Sequence, residues 1–370
     1  MQGRTIADHP GYDDGCRRLR NEGSLSEYRV LAYSGLAERL GWEGVWQETI
    51  TAAREMAAEV VFLQYFHGPT PDPSAMIAAL RRLPSRPVIA VSSGDPFGRL
   101  LDRPPQTFRT AASLADATFL TETGGLARDL ARTGARTALM PHGFCQARFD
   151  PPAAMRPVQA EFDVVFIGNL HRVRNPARRM FWSALQRRRQ VAALQARYGR
   201  RLALFGSGWE GWPSARGPLP YDEQFSACRR ARVVVGPYPN GGMDYYMSDR
   251  PMITIRAGAP YVEPRVPRVD RIFQDRRHWF LYREPSELLA LCDRLLEWSD
   301  EERYAFGSAA AADIAARHSQ YHRLRAMLAT LADMRTALMA GQRPPPPRLD
   351  FFLPGVDPQA EMAFATAGWV

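Results

Sequence analysis

The chain has 370 residues, 45% of them hydrophobic and 24% charged, with a formal net charge of +9. That length is comfortable for two domains, and the composition is that of a soluble globular protein. No apolar run reaches the roughly 18 residues that a membrane-spanning helix needs, and the polar amino terminus lacks the apolar core of a secretory signal. All 48 Lys-plus-Arg positions are arginine. This excludes a Schiff-base lysine, a P-loop lysine and a lysine general base. A phosphate would have to be held by arginine, backbone N–H groups or a helix amino terminus. The arginines are dispersed without an aromatic-basic stacking platform, so no nucleic-acid partner is expected. Cys16, Cys145, Cys228 and Cys292 lie far apart in sequence and form no metal-type pair. They read as free or buried thiols in a reducing cytoplasm. The cytoplasm is the expected location, with attachment to the inner membrane face left open.

The first 25 residues are polar. Residues 28–33 fit a strand, but Tyr28, Leu31, Leu36 and Leu40 also fit a helical period. Strand and helix then alternate. Strands are predicted at 59–65, 87–91, 117–120 and 136–140, with helical patterns at 73–83 and 126–132 between them. The strands open into Phe66-His67-Gly68-Pro69, Ser92-Ser93-Gly94-Asp95-Pro96, Thr121-Glu122-Thr123-Gly124-Gly125 and Pro141-His142-Gly143. This alternation predicts a doubly wound α/β sheet. Residues 147–162 carry Pro151, Pro152 and Pro157 and no apolar period, and read as an interdomain linker.

A second alternating set follows. Residues 163–167, 201–205 and 232–235 are short apolar runs. They end at Gly168-Asn169, at Gly206-Ser207-Gly208-Trp209 and at Gly236-Pro237-Tyr238. Glycine at the end of each run predicts a parallel sheet with ligand-binding turns at the carboxyl ends of its strands. A strand near 261–262 and helices over 285–298, 300–317 and 320–339 complete the pattern, and the tail from the proline run 344–347 has no assigned place. The expected division is 1–155 for one domain, 156–318 for the second, and 319–370 for a crossover helix and tail.

Gly206-Ser207-Gly208-Trp209-Glu210-Gly211 is a literal G-x-G-x-x-G after a strand. The dinucleotide fingerprint needs a helix straight after the glycines, and Trp212-Pro213-Ser214-Ala215-Arg216-Gly217-Pro218 cannot supply one. The turn reads better as a loop where a flat base lies against the backbone and Trp209. At Gly168-Asn169-Leu170-His171-Arg172-Val173-Arg174 a glycine lets a ligand approach the backbone, and Arg172 and Arg174 are placed to clamp a diphosphate. Arg178, Arg179, Arg187, Arg188, Arg189 and Arg197 read as a solvated helix face. His318 and His322 have i, i+4 metal spacing but lack a third ligand, and read as structural.

The run from Phe166-Ile167-Gly168 through Phe205–Trp209, Tyr221, Ala231–Val235 and Ser248-Asp249-Arg250 to Gly258-Ala259-Pro260 resembles the nucleotide-binding domain of GT-B glycosyltransferases. It is most similar to the spore-maturation-type branch related to glycosyltransferase families 1 and 4. Phe280-Leu281-Tyr282 and His318-Ser319-Gln320-Tyr321 fit that family's carboxyl end, and Met140-Pro141-His142-Gly143-Phe144 resembles the last strand turn of its acceptor domain. The resemblance covers roughly residues 55–330. It implies two Rossmann-like doubly wound α/β domains facing across a cleft. A nucleotide-diphosphate sugar would be held by the second domain and a small-molecule, glycan or lipid-linked acceptor by the first. The implied donor-binding residues are Gly168, Asn169, Arg172, Arg174, Gly206, Ser207, Gly208, Trp209, Tyr238, Asp244, Ser248, Asp249 and Arg250, with the diphosphate at the helix that begins near Arg250. The family places a ribose-gripping glutamate three positions after that arginine. Here the position is Ile253, which leaves Asp249 or Asp244 to take the ribose, or leaves the protein a catalytically silent binding subunit. No metal and no cofactor are expected, since arginine and a helix dipole can offset the leaving diphosphate. The candidates for a general base are Asp95, then His67, then His142.

Overall fold

The computed structural model describes residues 4–64, 70–95, 97, 103–149, 158–237, 243–347 and 349–357. Two units separate by their internal contacts. One lies within Met1–Pro141, Gln320–Asp350 and Val356–Val370, and the other within His142–Ser319 and Phe351–Gly355.

The first unit opens on two helices, α1 (Pro10–Asn21) and α2 (Tyr33–Glu55), the second interrupted at Gly41. Residues 28–32 form no strand, and Leu36 and Leu40 follow the helical alternative. Then come β1 (Val60–Leu63), α3 (Ser74–Arg81), β2 (Val88–Ser93), α4 (Gln106–Leu114), β3 (Ala117–Leu120), α5 (Gly125–Ala131) and β4 (Thr137–Leu139). The four strands are parallel and run in the order β1-β2-β3-β4. Right-handed crossovers without a reversal of order put every connecting helix on one face. The core there joins Ile77 and Leu80 of α3, Phe108 of α4 and Leu126 of α5 to Ile89, Val91 and Leu120 of the strands. The expected parallel α/β sheet of this unit is thus present, with its described strands following one another in chain order behind two amino-terminal helices. The final helix, Gln320–Met339, packs on α1 and reaches β2. Tyr321 donates to Glu22 at 2.7 Å and Arg335 pairs with Glu59 at 3.1 Å.

The second unit contains α6 (Gln146–Phe149), β5 (Phe162–Ile167), α7 (Arg179–Tyr198), β6 (Leu202–Phe205), β7 (Ala215–Gly217), α8 (Gln224–Arg229), β8 (Ala231–Val235), α9 (Arg250–Arg256), β9 (Tyr261–Pro264), β10 (Phe280–Tyr282), α10 (Pro285–Leu296) and α11 (Asp300–Arg317). Its parallel sheet has the order β10-β9-β8-β5-β6-β7. Successive strands are added to one side of β5 and then to the other, so this sheet is doubly wound. Val164, Val165 and Phe166 are each fully buried, as expected for a strand covered on both faces. On one face α7 and α10 pack Val191, Leu194, Leu288 and Leu295 against Val164, Phe166, Val233 and Val262. On the other lie α8 and α9, with α11 stacked on α9. Residues 351–355 join this unit, where the Leu353 amide donates to the Arg271 carbonyl at 2.8 Å.

Candidate functional site

In a doubly wound sheet the order reverses at one point, and the strand ends there leave a crevice in which ligands bind. In the second unit that point lies between β5 and β8. The loops leaving these two strands, and the one leaving β6, form its rim.

The glycine triplet after β6 joins two of these loops. Gly206 and Gly208 have φ of 132° and 88°. A Cβ on Gly206 would come within 2.3 Å of the Gly168 carbonyl oxygen, and one on Gly208 within 2.3 Å of the Leu170 oxygen. With no side chains in the way, the Gly168 amide donates to Phe205 O and the Leu170 amide to Ser207 O, both at 2.9 Å. Asn169 Oδ1 accepts from the Ser207 amide at 2.9 Å. The glycines thus knit the β5 and β6 exits together, and no helix follows them. Trp209 does not offer a stacking face as expected. Its side chain is 1% exposed, sits in the core edge-on to Phe166 and Trp212, and donates from Nε1 to Gly168 O at 2.6 Å.

The charged part of the rim comes from α7 and α9. Arg187 is buried, and its Nη1 donates to the Asn169 carbonyl. Arg250, the first residue of α9, is half-buried, and its Nε is enclosed without a hydrogen-bond partner among the described residues. Desolvation, and then the charge of Arg250, push the Arg187 guanidinium down to about 10. Partial desolvation, followed by the Arg187 and Arg250 charges, holds the His171 imidazole below its ordinary value. Three basic groups therefore crowd one place and destabilise one another's charged forms, the electrostatic condition that favours an anionic ligand.

Arg187 is not on the solvated face assigned to it. It lies four residues after Ser183 and four before Val191, both buried, so it belongs to the inward stripe of α7. Arg188, Arg189 and Arg197 do face solvent. That i, i+4 placement was legible in the sequence, and the density of neighbouring arginines masked it. Conversely, Arg172 and Arg174 point outward. The Arg172 side chain is 83% exposed and meets Glu210 at 3.4 Å.

A carboxylic acid and a phenol lie beneath the arginines. Tyr261 and Glu263 share one face of β9, 1% and 3% exposed. The Tyr261 hydroxyl occupies the place of a Gly236 side chain, and a Cβ there would sit 2.0 Å from it. Gln190 of α7 secures the same corner, donating to the Gly236 carbonyl and to the Tyr282 hydroxyl, both at 2.8 Å. Desolvation pushes Glu263 up to about 8, against the opposing influence of Tyr261 and Arg250. At neutral pH Glu263 is thus mostly protonated and leaves the arginine charges largely uncompensated. Nothing in the apolar-run pattern of β9 singled this residue out.

The remaining donor candidates divide. Asp249 accepts from the Tyr221 hydroxyl at 2.6 Å, and Ser248 Oγ lies 3.4 Å from the Arg250 amide. Asp244 is half-buried in the loop before α9. Ile253 is 1% exposed and apolar, so it cannot grip a ribose. Tyr238 lies outside the described residues.

The carboxyl ends of the first unit's strands carry a different chemistry. Asp95 is exposed just beyond β2, and its amide meets Ser93 Oγ at 3.3 Å. Behind it Gln64, Ser92, Ser93, Thr121, Glu122 and Thr123 are all buried. Thr121 donates to the Gly94 carbonyl at 3.2 Å, and Glu122 accepts from the Gly124 amide. Gln64 Nε2, Ser92 Oγ and Thr123 Oγ1 are enclosed without hydrogen-bond partners among the described residues. This polar floor, Glu122 included, was not singled out in the sequence. His67 lies outside the described residues. His142 is half-buried and belongs to the second unit, not the first, because the division falls after Pro141. The adjacent Phe144 amide donates to the His318 carbonyl at 3.0 Å.

Residues 157–329 match a family model described as glycosyl transferase-like. No curated protein matches the chain. Among solved structures, the trehalose-6-phosphate phosphatase N-terminal domain of Candida albicans superposes with a TM-score of 0.52 at 8% identity, over 84% of this chain and 77% of that one. The α,α-trehalose 6-phosphate synthase of Burkholderia multivorans gives 0.51 at 14% identity, over 91% of this chain and 83% of that one. At such identities the likeness is one of fold: the chain has the α/β architecture with two Rossmann-like, parallel-sheet units found in GT-B proteins.

Proposed function

We propose that the protein is a glycosyltransferase that takes a sugar from a nucleotide-diphosphate donor and passes it to an acceptor hydroxyl. The order of its motifs keeps the spore-maturation-type branch as the nearest family reading. One observation carries the proposal: Arg187 and Arg250 converge, with His171, at the switch point of the doubly wound sheet, over an acid that is mostly neutral at pH 7. A pair of guanidiniums in that setting suits two adjacent phosphates, since arginine forms bidentate charge-assisted hydrogen bonds to phosphate oxygens. In this reading the arginines bind the diphosphate in the ground state and stabilise it as it leaves. The hydroxyl-rich floor of the first unit suits a polyhydroxylated acceptor. In this reading Asp95, exposed beside it, takes the acceptor proton.

The test is calorimetric titration with nucleoside diphosphates, nucleoside monophosphates and NADH. Diphosphates should bind most tightly, and monophosphates should lose an order of magnitude or more. Binding of NADH alone would defeat the reading. A second reading, a silent nucleotide-binding subunit, is favoured by one observation: the ribose-gripping position holds the buried, apolar Ile253. Diphosphate binding without donor hydrolysis or transfer to any of a panel of sugar acceptors would select it.

A further inference from the structure

A second basic site lies at the opposite end of the doubly wound sheet. A cavity of about 60 Å³ opens beside Ala231, the first residue of β8, and is lined also by Arg229, Gly258, Asp300, Arg303 and Ser308. A single water needs about 10–15 Å³ of such space, so the cavity admits a group of several heavy atoms. Its neighbourhood contains Arg229, Arg232 and Arg303 against Asp163 and Asp300.

Arg303 comes from the opening turn of α11 and is 8% exposed. Its Nη2 is engaged by Asp300. Its Nη1 is enclosed without a hydrogen-bond partner among the described residues, and so is Ser308 Oγ, one turn further along α11. A guanidinium cannot shed its charge to escape burial, and buried donors in folded proteins are almost always met. Both residues line one space, which is too small for a nucleotide.

We propose that this cavity binds a small tetrahedral oxyanion of the phosphate class, held by Arg303 Nη1 and the Ser308 hydroxyl. One phosphate oxygen can accept from the guanidinium and a second from the hydroxyl, while the alanine and glycine wall sets the size limit. The site shares no residue with the arginine rim. It therefore stands or falls independently of the glycosyltransferase reading.

The experiment is thermal melting of the full chain in inorganic phosphate, against chloride at matched ionic strength. It uses the Arg250→Ala background, so that binding at the rim is weakened. At ten times its dissociation constant, phosphate should raise Tm by about 2–4 °C. Arg303→Leu should abolish the rise. Ser308→Asp places a carboxylate in the cavity. It should melt higher than Ser308→Ala without phosphate and should no longer respond to it. Equal shifts in phosphate and chloride would overturn the proposal, and so would Ser308→Asp melting below Ser308→Ala. The Ser308 pair decides the matter even if Arg303→Leu fails to fold.

Discussion

The strand ends of the two units make the same topological gesture with opposite chemistry. In the second unit the rim is cationic, with Arg187, Arg250 and His171 above a carboxyl held up to about 8. In the first unit the described rim is built from hydroxyls, an amide and the carboxylates Asp95 and Glu122. A parallel sheet fixes where a ligand sits, and the loop side chains decide what it is. On the proposed reading the difference sends an anion to one rim and a neutral, hydroxylated molecule to the other.

The largest expected effect breaks this division on the carboxylate side. Asp95→Asn should lower transfer turnover by about 10²–10⁴-fold, the usual range for a lost general base, while leaving diphosphate affinity unchanged. Steady-state kinetics with a calorimetric control measures both. If Glu122→Gln reproduces the loss and Asp95→Asn does not, the base is the buried residue instead. Next in size is the support beneath the cationic rim. Trp209→Ala should destabilise by about 3–5 kcal/mol, because a fully packed indole leaves a large cavity. Trp209→Phe should keep most of the stability and all of the nucleotide affinity. A tenfold affinity loss in the phenylalanine variant, with stability kept, would restore Trp209 as a contact to the base.

The rim charges come third. Arg187→Ala and Arg250→Ala should each cost about 1.5–3 kcal/mol of diphosphate binding, the range for a hydrogen bond to a charged group. Arg172→Ala should change affinity less than twofold, since that side chain is exposed. The reverse ranking would move the donor site to the outward face of the β5 loop.

Proton linkage gives the finest test. Glu263 carries its proton in the folded state up to about pH 8, whereas an unfolded glutamate loses it near 4.5. The contribution of this group to stability is therefore fully present below about pH 4.5 and is lost as pH rises through 8. Glu263→Gln should gain stability relative to the parent across that window and then hold a constant lead. Diphosphate affinity should respond in the adjoining window, flat up to about pH 8 and falling beyond it. Above pH 8 the ionised acid repels the ligand, so the parent should weaken by up to tenfold per pH unit while Glu263→Gln stays flat. In NMR titrations, bound diphosphate should raise the depressed His171 pKa. An unchanged His171 would place the anion elsewhere.

Local sequence was enough to locate most strands and helices. The helices Asp300–Arg317 and Gln320–Met339 and the strand Ala117–Leu120 agree residue for residue, because apolar period and capping residues act within a few positions. It also excluded lysine chemistry outright and, from Trp212-Pro213 after the glycines, the dinucleotide fingerprint. The three-residue strands Ala215–Gly217 and Phe280–Tyr282 were not legible as strands, since so short a run acquires its pairing only from its neighbours. Nor was the sequential order of the first sheet, which depends on what lies beside β1 in space. The site divides along the same line. Sequence pointed to Arg250 and to the strand-end loops. The inward place of Arg187 was already written in the i, i+4 stripe of α7, whereas only tertiary structure turned Trp209 inward, left Arg172 in solvent and buried Glu263 next to Arg250. Charge and aromaticity are properties of a residue, whereas burial, and with it the pKa and the ligand a residue can meet, belongs to the packing around it.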